Sequence, residues 1–176
     1  MRLLSTCVAT MLALAAASAA SATEIFLLNI EGIPGTSTVP GHTGLIPVTS
    51  FSDSISNRYS AGSARAAGPF ACQPLQITKV LDSSSPHLFM AVATGKIYPQ
   101  IILQALTTGE GGVGAAPTLF MELTLVNAVI SSVKLGGDAS NSARTETLTI
   151  NAEHIMVQVA GVGASTAQVT CGGLGL

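Results

Sequence analysis

Leu119-Phe120-Met121-Glu122-Leu123-Thr124-Leu125 is the stretch that decides how this chain folds. Leu119, Met121, Leu123 and Leu125 fall at every second position, with Phe120, Glu122 and Thr124 between them. Successive side chains of a strand point to opposite faces, so this alternation buries one face of a strand and leaves the other free. A helix would need its apolar residues three and four apart. The pattern runs on to Ile130 and places Glu122 on the solvent-facing or subunit-facing side.

Similar signals appear on both sides of it. Towards the C-terminus, Ser131–Leu135 continues or pairs with this strand, Gly136–Ala143 reads as a turn-rich loop, and Thr145–Val159 is a last long strand region. There the apolar set Leu148, Ile150 and Ala152 changes phase to Ile155, Val157 and Val159, which predicts a bulge or break near Glu153. Towards the N-terminus, Ile25–Ile30, Leu45–Phe51, Leu75–Val80 and Ile101–Leu106 read as strands, the last leading through the Gly-rich Gly109–Pro117 link. Pro47 suits an edge or a bulge. Gln76 and Thr78 turn away from Leu75 and Ile77. From Glu31 to Gly44 the chain is a loop longer than a hairpin needs, and Ser52–Gly68 is small, polar and expected to be mobile.

One helix interrupts the strands. Asp82-Ser83-Ser84-Ser85 offers caps, Pro86 fits the first helical position, and Gly95 fits the left-handed residue after the last turn. Leu88, Phe89, Val92 and Ala93 form its apolar face at helical spacing. So short a helix needs a sheet to pack on. The fold class is therefore mainly β, a small two-sheet barrel or sandwich with one short flanking α-helix.

Charged residues make up 9% of the chain and hydrophobic ones 48%, so Ser, Thr, Asn, Gly and Ala must cover much of the surface. Such a surface suits burial against partner subunits, or a secreted protein with a polar, uncharged exterior. Met1-Arg2, an apolar run through Ala17 and then Ala20-Ser21-Ala22 have the form of a cleaved leader, which makes 1–22 a signal peptide and Thr23 the mature start. The body is then 23–160, with a tail over 161–176. Removing Arg2 takes the formal charge from −2 to −3, and the remaining basic residues are scattered from Arg58 to Arg144. That excludes the clustered cationic surface a nucleic acid requires. The expected location is periplasmic or secreted, with no membrane association after cleavage. Cleavage also removes Cys7 and leaves Cys72 and Cys171, which form either a disulfide or two unpaired buried thiols.

No catalytic pattern emerges. His42, His87 and His154 fall in a loop, at a helix start and in a strand, without metal-ligand spacing. Gly35, Gly41 and Gly44 precede no helix and do not form a phosphate cradle; they read as turn formers. Glu122, Asp138, Glu146 and Glu153 have no supporting cluster that would make two of them an acid–base pair. No catalytic residue, cofactor or metal is assigned, and the chain is expected not to be an enzyme.

Three groups of segments resemble the Hcp family, the haemolysin-coregulated proteins that form the inner tube of type VI secretion systems. They are Gly32-Ile33-Pro34-Gly35-Thr36-Ser37 with Pro40-Gly41-His42-Thr43-Gly44; Ile77-Thr78-Lys79 with Ser85-Pro86-His87-Leu88-Phe89 and Ala93-Thr94-Gly95-Lys96; and Val129-Ile130-Ser131-Ser132-Val133 with Glu146-Thr147-Leu148. The similarity spans residues 25 to 159. It implies a small β-barrel with one flanking helix, a homo-hexameric ring that stacks into a tube, and effector proteins or other secretion components as further partners. It also implies that the loop Pro40, Gly41, His42, Thr43 and Gly44 projects and takes part in subunit contacts. The chain departs from the family in its leader, in Leu45 and Asp53 where aromatic residues are usual, and in the tail. A secreted monomeric binding or effector module reusing the fold is the alternative function.

Overall fold

The computed structural model describes residues 23–57, 70–108, 116–138, 141–161 and 163–171. The expected leader over 1–22, most of the expected Ser52–Gly68 loop and most of the expected Gly109–Pro117 link lie outside these residues. The strands are β1 Thr23–Ile30, β2 Ile46–Val48, β3 Ser50–Ser52, β4 Ile55–Asn57, β5 Phe70–Cys72, β6 Leu75–Val80, β7 Ile97–Thr108, β8 Thr118–Asp138, β9 Asn141–Val159 and β10 Ser165–Thr170; the helix α1 is Ser85–Thr94. One sheet runs in the order β2-β1-β7-β8-β9-β6-β3, with β10 added on β9. Its two end strands, β2 and β3, are separated only by Thr49, whose N–H donates to Thr78 O at 2.8 Å. The chain itself thus carries the sheet from one edge to the other, and a barrel results. Phe26 of β1 meets Phe51 of β3 edge to face, with ring centroids 5.2 Å apart, and packs this seam.

The core follows from the alternation. Leu28, Ile30, Leu75, Ile77, Ile101, Leu103, Leu123, Leu125, Leu148 and Ile150 are all buried. Each contributes about 1.5–3 kcal/mol of transfer free energy. Pro47 lies on β2, which pairs only with β1, so its missing N–H costs no ladder bond.

The phase change in β9 has a different cause from a bulge at Glu153. The β8–β9 register is continuous there, from Val126 opposite His154 to Ala128 opposite Ala152, and its shifts lie at Ile130/Ser132 and Gly136/Asp138. Instead, three neighbouring strands change face together. Burial steps from Tyr98 to Ile101 in β7, from Leu125 to Ala128 in β8 and from Ala152 to Ile155 in β9. By register, Pro99, Asn127 and Glu153 lie on one line across these strands. Pro99 has no N–H to donate, and Asn127 has φ of 49°, in the left-handed region. Asn127 Nδ2 donates to Glu153 Oε2 at 2.8 Å across this crease. Because all three strands turn at once, both sides of the crease keep an apolar face inward without loss of register.

Two loop expectations are corrected, and the tail gains a strand. Ile55–Asn57, inside the expected Ser52–Gly68 loop, is β4 and pairs with β5. Gly136–Asp138 continues β8 and Asn141–Ala143 opens β9, with Asp138 opposite Asn141. The tail forms β10, antiparallel to β9 from Ser165 opposite Val159 to Thr170 opposite His154.

In α1, Gly95 adopts φ of 61°, and the N–H groups of Gly95 and Lys96 return to Val92 O and Ala91 O, each at 3.2 Å. These bonds close the last turn as a left-handed cap does. The helix starts one residue earlier than expected, at Ser85, so Pro86 is its second residue and still displaces no helical bond. The buried face is Ser85, Leu88 and Ala91, with Val92 half-buried; Ala93 is exposed and Phe89 is 55% exposed. Phe89 lies about 100° round from Leu88, enough to carry it off the sheet-facing side.

Gly35 shows how tightly the loop is bound in. A Cβ there would run into Leu45 O and Ile46 Cα, both backbone atoms that cannot swing aside. Gly35→Ala is expected to cost about 1–3 kcal/mol, in the range of overpacking substitutions. Chemical denaturation checks this, and a variant as stable as the parent would mean that the loop is free to lift.

Candidate assembly surface

The loop from Gly35 to Gly44 is built on its own backbone. The N–H of Gly35 donates to Gly44 O at 2.8 Å, that of Gly44 to Ser37 O at 2.9 Å, and that of Ser37 to Leu45 O at 2.9 Å. Gly41 and Gly44 each take φ of 79°, which only glycine adopts without strain. Ser37 is buried, and its Oγ accepts a 3.3 Å bond from the Val39 N–H. At the tip, His42 Nδ1 is 2.9 Å from Gln104 Oε1, and Gln104 Nε2 donates to Glu122 Oε2 at 3.1 Å. Gln104 lies opposite Leu27 on β1, while β2 flanks β1 on its other side. The loop therefore crosses the outer face of β1, and Leu27, which points to that face, is buried.

Pro40, Gly41, Thr43 and Gly44 remain exposed, whereas His42 is half-buried. The loop is thus a fixed relief on the barrel wall, with His42 as its anchor. The row His42–Gln104–Glu122 is joined by an amide, a poor proton carrier, so it organises the surface and supplies no acid–base pair. His87 and His154 bond instead to Ser83 O at 3.3 Å and Thr170 Oγ1 at 3.1 Å. Among the described residues no three His, Cys, Asp or Glu side chains gather as a metal set, and no helix is long and apolar enough to cross a membrane.

A second relief surrounds α1. Leu81, Ser85, Pro86, Phe89 and Leu135 line an open, almost wholly apolar groove of about 350 Å³. Phe89 and Leu135 are more than half exposed there. Beneath this region lies a polar knot that the sequence reading does not assign. Lys79 Nζ is 2.7 Å from Glu146 Oε1 and 2.9 Å from Asp82 Oδ1, and it also donates to Val80 O. Ser85 Oγ donates to Glu146 Oε1 at 2.8 Å, and the Asp82 N–H donates to Ser85 Oγ at 3.1 Å. The side chains of Lys79 and Glu146 are both fully buried. The knot ties β6, β9 and the first residue of α1 together, which fixes where Phe89 stands.

Cys72 and Cys171 are bonded, with Cα atoms 5.5 Å apart, and the bond joins β5 to the residue after β10. Both cysteines pack against the core.

Comparison with known proteins agrees with this architecture. The sequence pattern of the family described as "Type VI secretion system effector, Hcp" matches residues 27–159. The chain is similar to protein hcp1 of Pseudomonas aeruginosa, 36% identical over 85 residues that cover 48% of this chain and 50% of that one. The match therefore spans half the length of that relative. Among solved structures, Hcp1 of Salmonella typhimurium superposes with a TM-score of 0.67 at 23% identity, covering 84% of this chain and 94% of that one. Hcp1 of E. coli EAEC 042 superposes at 0.70 and 20% identity, covering 84% and 97%. With its barrel, its flanking helix and a family match that extends from β1 through β9, the chain belongs to the Hcp family of type VI secretion proteins.

Proposed function

We propose that the chain is an exported structural subunit that associates with copies of itself into rings of six, which stack as a tube. Its work on this reading is assembly and the holding of effector partners in the ring, and not catalysis. The observation that carries it is family membership across the whole barrel, joined to a rigid loop whose outer residues are uncharged. Charged side chains resist burial between subunits, whereas Pro40, Gly41, Thr43 and Gly44 carry none. A leader over residues 1–22 would deliver the subunit to the periplasm or beyond.

The test uses protein recovered from cells, with intact mass locating the first residue at Thr23 and light scattering giving the assembly size. Thr43 is exposed, and its hydroxyl donates to Val39 O at 3.5 Å. Thr43→Asp should therefore weaken association while changing the stability of the subunit by about 0.5 kcal/mol or less. A parent that stays monomeric at high concentration, or a variant that assembles unchanged, would overturn the ring and favour a monomeric binding module.

A further inference from the structure

We propose that the Cys72–Cys171 bond is a redox-operated latch that holds β10 over one edge of β9. That edge is shared. β6 pairs with β9 from Thr145 to Ile150, and β10 takes the stretch from His154 to Val159. β6 is anchored by the buried Leu75, Ile77 and Lys79, whereas β10 has almost nothing in the core. Ser165, Thr166, Ala167, Gln168 and Thr170 are exposed, and only Val169 is half-buried.

The strand is held by its ladder to β9, by an exposed 3.1 Å bond between Thr170 Oγ1 and His154 Nδ1, by the Cys171 N–H donating to Glu153 O at 2.8 Å, and by the disulfide. Its other edge has no partner among the described residues. A six-residue strand with one partner and little buried surface scarcely offsets the entropy of its own ordering. The covalent bond keeps it at a high effective concentration beside β9. The Cys171 anchor also lies at the crease, opposite Glu153, where the face of β9 changes, so the latch closes at the point beyond which β6 covers the edge.

Both cysteines are only half-buried, so a small dithiol can reach them. Its thiolate attacks one Sγ, breaking the Sγ–Sγ bond and forming a mixed disulfide. Its second thiol then displaces the protein sulfur. Cys72 and Cys171 end as two thiols bearing the reductant's two protons, and the reductant ends as a cyclic disulfide. β10 is then released, and the backbone N–H and C=O groups of β9 between His154 and Val159 are bared as an edge open to strand addition.

Amide hydrogen exchange read by mass spectrometry tests this on the whole chain, oxidised and in excess dithiol at one pH. Reduction should speed exchange in Ser165–Thr170 and in the facing amides of β9 by roughly tenfold or more, while β7 and the Leu123–Leu125 part of β8 keep their protection. A chain ending before Ser165 should fold and show the same fast β9 amides without any reductant. Unchanged protection of β10 on reduction would overturn the latch. So would loss of protection throughout the barrel, or a truncated chain that fails to fold, since either makes β10 part of the core structure.

Discussion

Lys79→Met should lower the unfolding free energy by about 3–5 kcal/mol, the cost of leaving one member of a buried ion pair alone. Among the described residues Glu146 would keep only the Ser85 hydroxyl at Oε1, and its Oε2 already has no partner there. Glu146→Leu costs less, because Lys79 retains Asp82 and Val80 O. Removing both charges with Lys79→Met/Glu146→Leu should recover most of the loss, since apolar groups of similar volume replace a pair whose attraction only roughly offsets its desolvation. Urea denaturation of the three variants checks the order. If Lys79→Met costs under about 1 kcal/mol, within the range of exposed pairs, the knot is solvated and the interpretation is wrong.

Asp82 adds a pH dependence to the same knot. Burial raises its carboxyl, but hydrogen bonds from the Ser84 side chain and from Lys79, with the Ser84 N–H and the Lys79 charge, outweigh that and hold it below the usual carboxylate range. A group with a depressed folded value binds fewer protons in the folded state. Its contribution is complete above the ordinary carboxylate range and fades as pH falls through the lowered value. Acid therefore loosens the start of α1, and with it the groove that Phe89 and Leu135 frame.

How far the sequence shows this fold depends on whether a feature leaves a local trace. The left-handed stop at Gly95 and the alternation through Leu123 and Leu125 are legible because each is set by neighbours within a turn or a strand. The knot is half legible. Lys79 has the same parity as Leu75 and Ile77, and Glu146 the same as Leu148 and Ile150, so period two places both charges inward. Their meeting is not legible, since it depends on β6 lying beside β9. The seating of the loop depends on a bond between His42 and Gln104, 62 positions apart, which no local pattern predicts. β10 escapes notice because its alternation, Ala167, Val169 and Cys171 between Thr166, Gln168 and Thr170, rests on small side chains, consistent with a strand held mainly by its backbone and a covalent bond. Phe89 misleads for the opposite reason: its size suggests a core position, but the angle between it and Leu88 sets its direction.

The disulfide should produce the second large effect, and its size distinguishes a global staple from a latch. Cys72 and Cys171 are 99 positions apart. The loop-closure model gives about 4–5 kcal/mol for constraining the unfolded chain over such a span, if the folded state is the same with and without the bond. If β10 frays once the bond is cut, the reduced folded state regains the backbone entropy of that strand, about 1–2 kcal/mol per residue, less the ladder bonds it gives up. The net loss then falls below the loop-closure value, to about 2–3 kcal/mol, which corresponds to a fall in melting temperature of roughly 4–12 °C for a domain of this size. A second quantity moves with it. The frayed protein already exposes β10 and one edge of β9, so it uncovers less surface on unfolding, which offsets the rise in denaturant slope that loss of the crosslink gives by expanding the unfolded chain. Paired denaturation curves of the oxidised chain and of Cys72→Ser/Cys171→Ser give both numbers. A full 4–5 kcal/mol loss with a raised slope would mean that β10 stays seated without its bond, and the latch would be refuted.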